Sequence, residues 1–138
     1  MDRVKLQHLA ELRLKDSEVL LAARQWEAAY YVLGYCIECA LKACVAKQFR
    51  LHEVPDRKLV NSFYTHSLDQ LLEISGVKSE KEGHARTNSQ FETNWNTVRD
   101  WTEATRYEVG TTEALAFGMH RAVTDGVSGI LPWLKTLW

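Results

Sequence analysis

The sequence predicts an all-α protein, a single up-and-down bundle of about five helices, and three observations carry that reading. Pro occurs only twice, as Pro55 and Pro132, and Gly only seven times. That scarcity favours long uninterrupted helices over a multi-hairpin β fold. Apolar residues recur at helical intervals along most of the chain, the mark of helices with one buried face. Hydrophobic residues make up 46% and charged residues 25% of the 138, which suits a globular core and excludes disordered and collagenous chains. The length fits one domain over 1–138. A chain of this size buries enough surface to fold without a disulfide or metal.

Val4, Leu6, Leu9, Leu12, Val19, Leu20 and Ala23 outline a first amphipathic helix from Val4 to Arg24. A second runs from about Trp26 to Phe49, with Tyr30, Leu33, Ile37, Ala40, Leu41, Cys44 and Val45 in register. Little of its circumference is charged, so it is expected at the centre of the bundle. Gly34 lies inside it at a cost of about 1 kcal/mol against Ala, which close approach by a neighbouring helix would explain. Pro55 makes Arg50–Asn61 a loop. Ser67 with Gln70 forms a capping box for a short third helix carrying Leu68, Leu71, Leu72 and Ile74, and Gly76 stops it. Val77–Asn88, polar and containing Gly83, is expected to be the most flexible loop. Ser89 with Glu92 opens a fourth helix whose stripe, Phe91, Trp95, Val98, Trp101, Thr102 and Thr105, continues past Trp101. Thr111 or Thr112 caps a last helix that buries Leu115, Met119, Ala122, Val123, Ile130, Trp133, Leu134 and Leu137, with a kink near Pro132.

Lys and Arg total 17 against 18 Asp and Glu, a formal net charge of −1. Bulk electrostatic binding of long nucleic acid is therefore disfavoured. Charges crowd the first 20 residues and leave no apolar stretch for a signal peptide. No apolar run reaches the roughly 18 residues of a membrane span. Cys36, Cys39 and Cys44 lie close together in one segment and read as reduced, buried thiols. A cytoplasmic protein is expected, with no membrane partner and no cofactor. The five histidines show no paired spacing for a metal.

Three places hold candidate chemistry. Glu38 and Lys42 stand one turn apart on the apolar second helix. They form either a buried ion pair or the charged lining of an inter-helix pocket. His66 opens the third helix, where it orients the preceding loop or meets a ligand. On the fourth helix Arg99, Glu103, Arg106 and Tyr107 share one face, flanked by Trp95. Guanidinium groups beside aromatics suit base stacking and phosphate binding, whereas the plain alternative is a salt-bridged exterior. No Walker loop, dinucleotide fingerprint, nucleophile elbow or zinc-protease motif occurs.

The run from Trp26 to Lys47 resembles the core helix of HEPN-domain proteins, which show an A-Y-Y-x-x-G-Y-x-x-E-C-A-L-K-A phrase there. Thr65–Leu72 is similar to a second family element, T-H-x-L-x-x-L-L, and Arg106-Tyr107 to a third, R-Y. The resemblance extends from Leu9 to about Leu131. It implies a small helical bundle, commonly a homodimer, that binds a nucleotide or RNA or pairs with a minimal nucleotidyltransferase in toxin–antitoxin or defence modules. Glu38, Lys42, His66, Arg99, Arg106 and Tyr107 would then line the ligand or partner groove. Ribonuclease members carry an R-x(4–6)-H motif late in the bundle. Where that His would follow Arg99 stand Ala104, Thr105 and Arg106, and after Arg106 stand Thr111, Thr112 and Glu113. Arg3 to His8 fits the formula in the wrong helix. The expectation is thus a non-catalytic binding module. A divergent metal-independent endoribonuclease using His66 with Arg99 or Arg106 is the alternative.

Overall fold

A computed structural model describes residues 1–138 and contains helices without strands. The Asp2 carboxylate accepts from the Lys5 N–H at 2.8 Å and so caps α1, Arg3–Ala22. Arg24 turns the chain with φ of 60°, and α2, Trp26–Ala46, returns along α1. Leu6, Ala10, Ser17 and Leu21 are the buried positions of α1. Val4 and Val19 face outward instead, because the contact stripe runs through the small Ala10 and Ser17, which let α1 lie close to α2.

The second helix is central, as its composition predicts. It packs against α1, α4 (Leu68–Ile74), α7 (Glu113–Thr124), α8 (Ile130–Lys135) and a 3-10 helix, Glu103–Tyr107. By length and composition α2 could cross a membrane, with a mean hydropathy of 1.3, above what the sequence reading allowed. Here 72% of that stretch is buried by its neighbours, the surroundings of a core helix. Burial pushes the Cys39 and Cys44 thiols up to about 11 and raises Cys36 further. All three are free, and burial favours their unreactive thiol form.

The chain forms eight α-helices rather than about five. Asp56 caps α3, Arg57–Phe63, by accepting from the Leu59 N–H at 3.2 Å. The segment after Pro55 is therefore not all loop, since Pro55 lies ahead of the cap and blocks nothing. Val77–Asn88 is not a flexible loop either: α5 spans Lys78–Thr87. It buries no residue fully, so apolar period could not reveal it, but Lys, Glu, Ala and Arg are good helix formers. Lys81 reaches Glu92 at 3.0 Å and His84 meets the Phe91 ring edge-on, which ties α5 to α6, Ser89–Arg99.

The cap of α6 is Asn88, accepting from the Phe91 N–H at 3.0 Å, one residue before the expected Ser89. The helix ends at Arg99, not beyond Trp101. Trp101 leaves the helix and enters the core with Tyr35 and Tyr31 around it. Its indole lies over Gly34, where a Cβ would stand 1.9 Å from Cε2 and 2.2 Å from Nε1. The close neighbour that Gly34 admits is this ring rather than another helix.

Thr112 caps α7 by accepting from the Leu115 N–H. Leu115 itself is exposed. The expected last helix is divided by a turn in which Asp125 accepts from Val127 and Ser128 N–H groups. Gly129 is required there, because a Cβ would lie 2.3 Å from the Asp125 carbonyl oxygen. Pro132 is the third residue of α8, within the first turn, where helix N–H groups have no intrahelical acceptor. Lys135 of α8 bridges to Glu11 of α1 at 2.8 Å and holds the Glu11 carboxyl below its usual range.

Candidate functional site

Three of the sequence-selected residues form one connected chain. Lys42 Nζ donates to Glu38 Oε1 at 2.8 Å, one turn apart on α2, and both residues are buried. The same carboxylate faces Nδ1 of His66 at 3.1 and 3.0 Å. A carboxylate only accepts, so Nδ1–H donates and the second ring nitrogen, Nε2, is turned the other way. Nε2 meets Glu103 Oε2 at 3.1 Å. Lys42, Glu38, His66 and Glu103 thus run from the core to the surface. His66 and Glu103, each with a side chain 40% exposed, form its outer end.

Local sequence fixes each member. Ser67 accepts from the Gln70 N–H and starts α4, and Thr65 both accepts from the Ser67 N–H and donates to Gln70. His66 is held between those two caps. The Tyr35 ring meets its imidazole at 6.0 Å, edge to face. Burial, with the Tyr31 hydroxyl second, pushes the Tyr35 phenol up and keeps it neutral. The ammonium of Lys42 stands 5.3 Å from the Phe63 ring. The buried pair therefore meets π-faces and one imidazole. Isolated charges at this depth would cost several kcal/mol each.

Thr65–Leu68 on one side and Arg99, Trp101, Thr102 and Glu103 on the other enclose a cleft of about 310 Å3. That is the lower end of the range for small-molecule sites. Arg99 lies at its mouth and pairs with Asp69 of α4 at 2.8 Å. His66 and Arg99 are thus brought to one cleft, with Glu38 and Lys42 behind the imidazole. Arg106 and Tyr107 stand outside it. They are exposed on the 3-10 helix, with the Arg106 guanidinium 4.8 Å over the Tyr107 ring. Tyr107 and Tyr31 hydroxyls push Arg106 further up. The expected shared face of Arg99, Glu103, Arg106 and Tyr107 does not form, because the helix stops at Arg99.

Sequence reasoning left Asp69 out of the site and set Glu103 on a face with Arg99, Arg106 and Tyr107 without linking it to His66. No local signal ties Glu103 to His66, which lies far back along the chain. They meet because α4 and the 3-10 helix both pack on α2. No group of three or more His, Cys, Asp or Glu side chains is arranged to hold a metal ion. Chemically, the cleft offers a guanidinium and an imidazole steadied from behind, each facing a partly exposed carboxylate.

Compared with family models, with curated proteins and with solved structures, the chain gives no match. Its class is therefore stated from its own fold, an all-helical protein with one central apolar helix.

Proposed function

We propose that this protein is a non-catalytic HEPN-like module that binds a nucleotide or a short RNA segment in the His66–Arg99 cleft. One observation carries the reading. A buried ion pair holds an imidazole by Nδ1 and directs Nε2 toward a ligand-sized cleft that also holds a guanidinium. An imidazole fixed by a carboxylate is set to bind or to move a proton, whereas a purely structural histidine needs no such cleft. The net charge of −1 fits a short ligand gripped at a few points. The exposed Arg106–Tyr107 stack adjoins the cleft on the 3-10 helix and extends the surface for a base or a partner.

Ribonucleoside monophosphates and a single-stranded oligoribonucleotide are the probes, read by calorimetry. His66→Ala and Arg99→Ala should each weaken binding about tenfold or more, in line with roughly 1.5–3 kcal/mol for a charge-assisted hydrogen bond. Wild-type affinity in both variants would remove the cleft from the function. The second reading, a metal-independent endoribonuclease using His66 with Arg99, is favoured by the Glu38–His66 pairing alone, since an oriented imidazole serves general acid–base catalysis. In that case the oligoribonucleotide acquires 2′,3′-cyclic phosphate ends with wild type and none with His66→Ala. An intact oligonucleotide throughout leaves the binding module.

The resemblance to HEPN proteins extends the proposal to protein partners, a second copy of the chain or a minimal nucleotidyltransferase. Light scattering should return twice the 15.9 kDa chain mass for the pure protein. A monomeric mass at every concentration, unaltered by an added nucleotidyltransferase, rejects both partners.

A further inference from the structure

Six large apolar side chains, Met1, Val4, Phe49, Leu51, Val54 and Tyr64, are exposed within residues 1–5 and 47–64. Single exposed apolar residues are ordinary, but a gathered set marks an interaction surface. These are gathered. Met1, Phe49 and Tyr64 line one groove of about 240 Å3 with Pro55, Val60 and Phe63. Leu51 and Val54 stand on the loop between Phe49 and Pro55, and every residue from Lys47 to Lys58 is exposed. The same two segments are basic, with six Lys and Arg against three Asp and Glu. The net charge of the whole chain is −1, so the remainder carries −4 and the molecule is polarised. Asp2 and Asp56 are engaged as helix caps, and Glu53 pairs with Arg50 at 3.7 Å. Arg3, Lys5, Arg57 and Lys58 enter none of the ion pairs of the fold. They occupy the first turns of α1 and α3, which hold no acidic residue. The helix dipole disfavours cations there, so helix stability does not account for them.

We infer that this end of the molecule docks on an anionic lipid surface. Leu51 and Val54 enter the boundary between headgroups and acyl chains, and Arg3, Lys5, Arg57 and Lys58 meet the lipid anions. Charge complementarity selects an anionic occupant, and the apolar tip selects lipid over protein. Leu51 is 85% and Val54 96% exposed, outside the groove and free of walls. A fluid acyl layer receives such side chains without a shaped complement. Phe49 and Tyr64 add aromatic rings of the kind that favour the membrane–water interface. A two-fold contact between copies through this end would set cations against cations, which excludes a second copy as the occupant. Surface docking needs no spanning helix, and it adds a membrane partner that the sequence reading did not expect. It stands apart from the nucleotide reading, since none of these side chains lines the His66–Arg99 cleft.

The test is co-sedimentation of the full chain with vesicles of phosphatidylcholine and phosphatidylserine in equal parts, against phosphatidylcholine alone. Wild type should bind the anionic vesicles at least tenfold more tightly, since each cation near such a surface contributes about fivefold. Added salt should weaken that binding. Arg57→Gln/Lys58→Gln should lose about twentyfold, and Leu51→Ser/Val54→Ser about tenfold with no change of charge. Arg86→Gln/Arg121→Gln makes the same charge change on α5 and α7, which contribute nothing to the groove, and should bind as wild type does. All six positions are exposed, so thermal midpoints should match that of wild type. Equal wild-type affinity for the two vesicles overturns the inference, as does wild-type binding by either docking variant or an equal loss in the control. Absence of binding to both vesicles also overturns it, and leaves an acidic protein segment as the occupant of this surface.

Discussion

Gly34→Ala should unfold this protein about 10 °C earlier than wild type, although Ala is the better helix former. The new methyl would lie 1.9–2.2 Å from three atoms of the Trp101 indole, far inside the roughly 3.5–4 Å at which carbon atoms attract. Both partners resist adjustment. Gly34 is in the middle of α2, whose backbone is fixed by helices on several sides. Trp101 is a rigid ring, fully buried against Tyr35 and Tyr31. The ring therefore has to leave, which costs about as much as removing a buried Trp, ~3–5 kcal/mol. The gain of Ala over Gly in a helix returns about 1 kcal/mol. The net loss is about 2–4 kcal/mol, and a kcal/mol moves the midpoint of a chain this size by about 4 °C.

A second variant separates this cause from any general fragility of α2. With Trp101→Ala already present, Gly34→Ala should be neutral or stabilising by up to about 1 kcal/mol, because only the propensity term survives. Thermal melts of the four proteins in the cycle measure this sign change. The same loss in both backgrounds would show that the ring is not the cause. Trp101 also lines the cleft and leads directly into Thr102 and Glu103. Single Gly34→Ala should weaken monophosphate binding along with stability.

The close approach at Gly34 was readable from sequence, because a costly Gly in an apolar helix asks for a neighbour. The identity of that neighbour was not. Trp101 continues the period of α6 without interruption, and only tertiary burial pulls it out of the helix. The same limit applies to the last helix, where Asp125 divides the apolar pattern by accepting hydrogen bonds from the Val127 and Ser128 N–H groups on its side chain. It applies in reverse to α5, which forms where apolar period is weak because its residues favour helix intrinsically. The N-caps fared differently, although Gln70 does not complete the box at Ser67, whose N–H is met by the Thr65 hydroxyl instead. Ser67 and Thr112 act as caps, whereas Asn88 displaced Ser89 by one residue because an Asn side chain caps as well as Ser.

The site was legible in its buried half. Glu38 and Lys42 announce themselves as charges on an apolar helix, and a short-range rule pairs them. His66 stands out as the ring between two cap residues. The outer half was not legible, since Glu103 and Asp69 are ordinary surface carboxylates until the fold sets them against His66 and Arg99. Long-range pairs of that kind leave no mark in a single sequence.

The inner pair also yields the sharpest separation of stability from function. Removing one member, as in Lys42→Met or Glu38→Leu, leaves the other charge buried, and breaking a buried pair costs about 3–5 kcal/mol. Lys42→Met should fall at the lower end, because Glu38 retains His66 as a partner. The double variant Glu38→Leu/Lys42→Met removes both charges, keeps similar volume and should lie within about 1 kcal/mol of wild type. Urea denaturation gives the four values, and a double variant as unstable as the sum of the singles would refute this account of the pair. The same double variant leaves the imidazole of His66 without its orienting acceptor. It should then fold normally and bind adenosine monophosphate about tenfold more weakly, comparable to His66→Ala. Wild-type affinity in a stable double variant would mean that the buried pair holds the helices and has no part in the cleft. A stable protein that no longer binds would assign to Glu38 the positioning of His66, at a place where stability alone is served as well by Leu and Met.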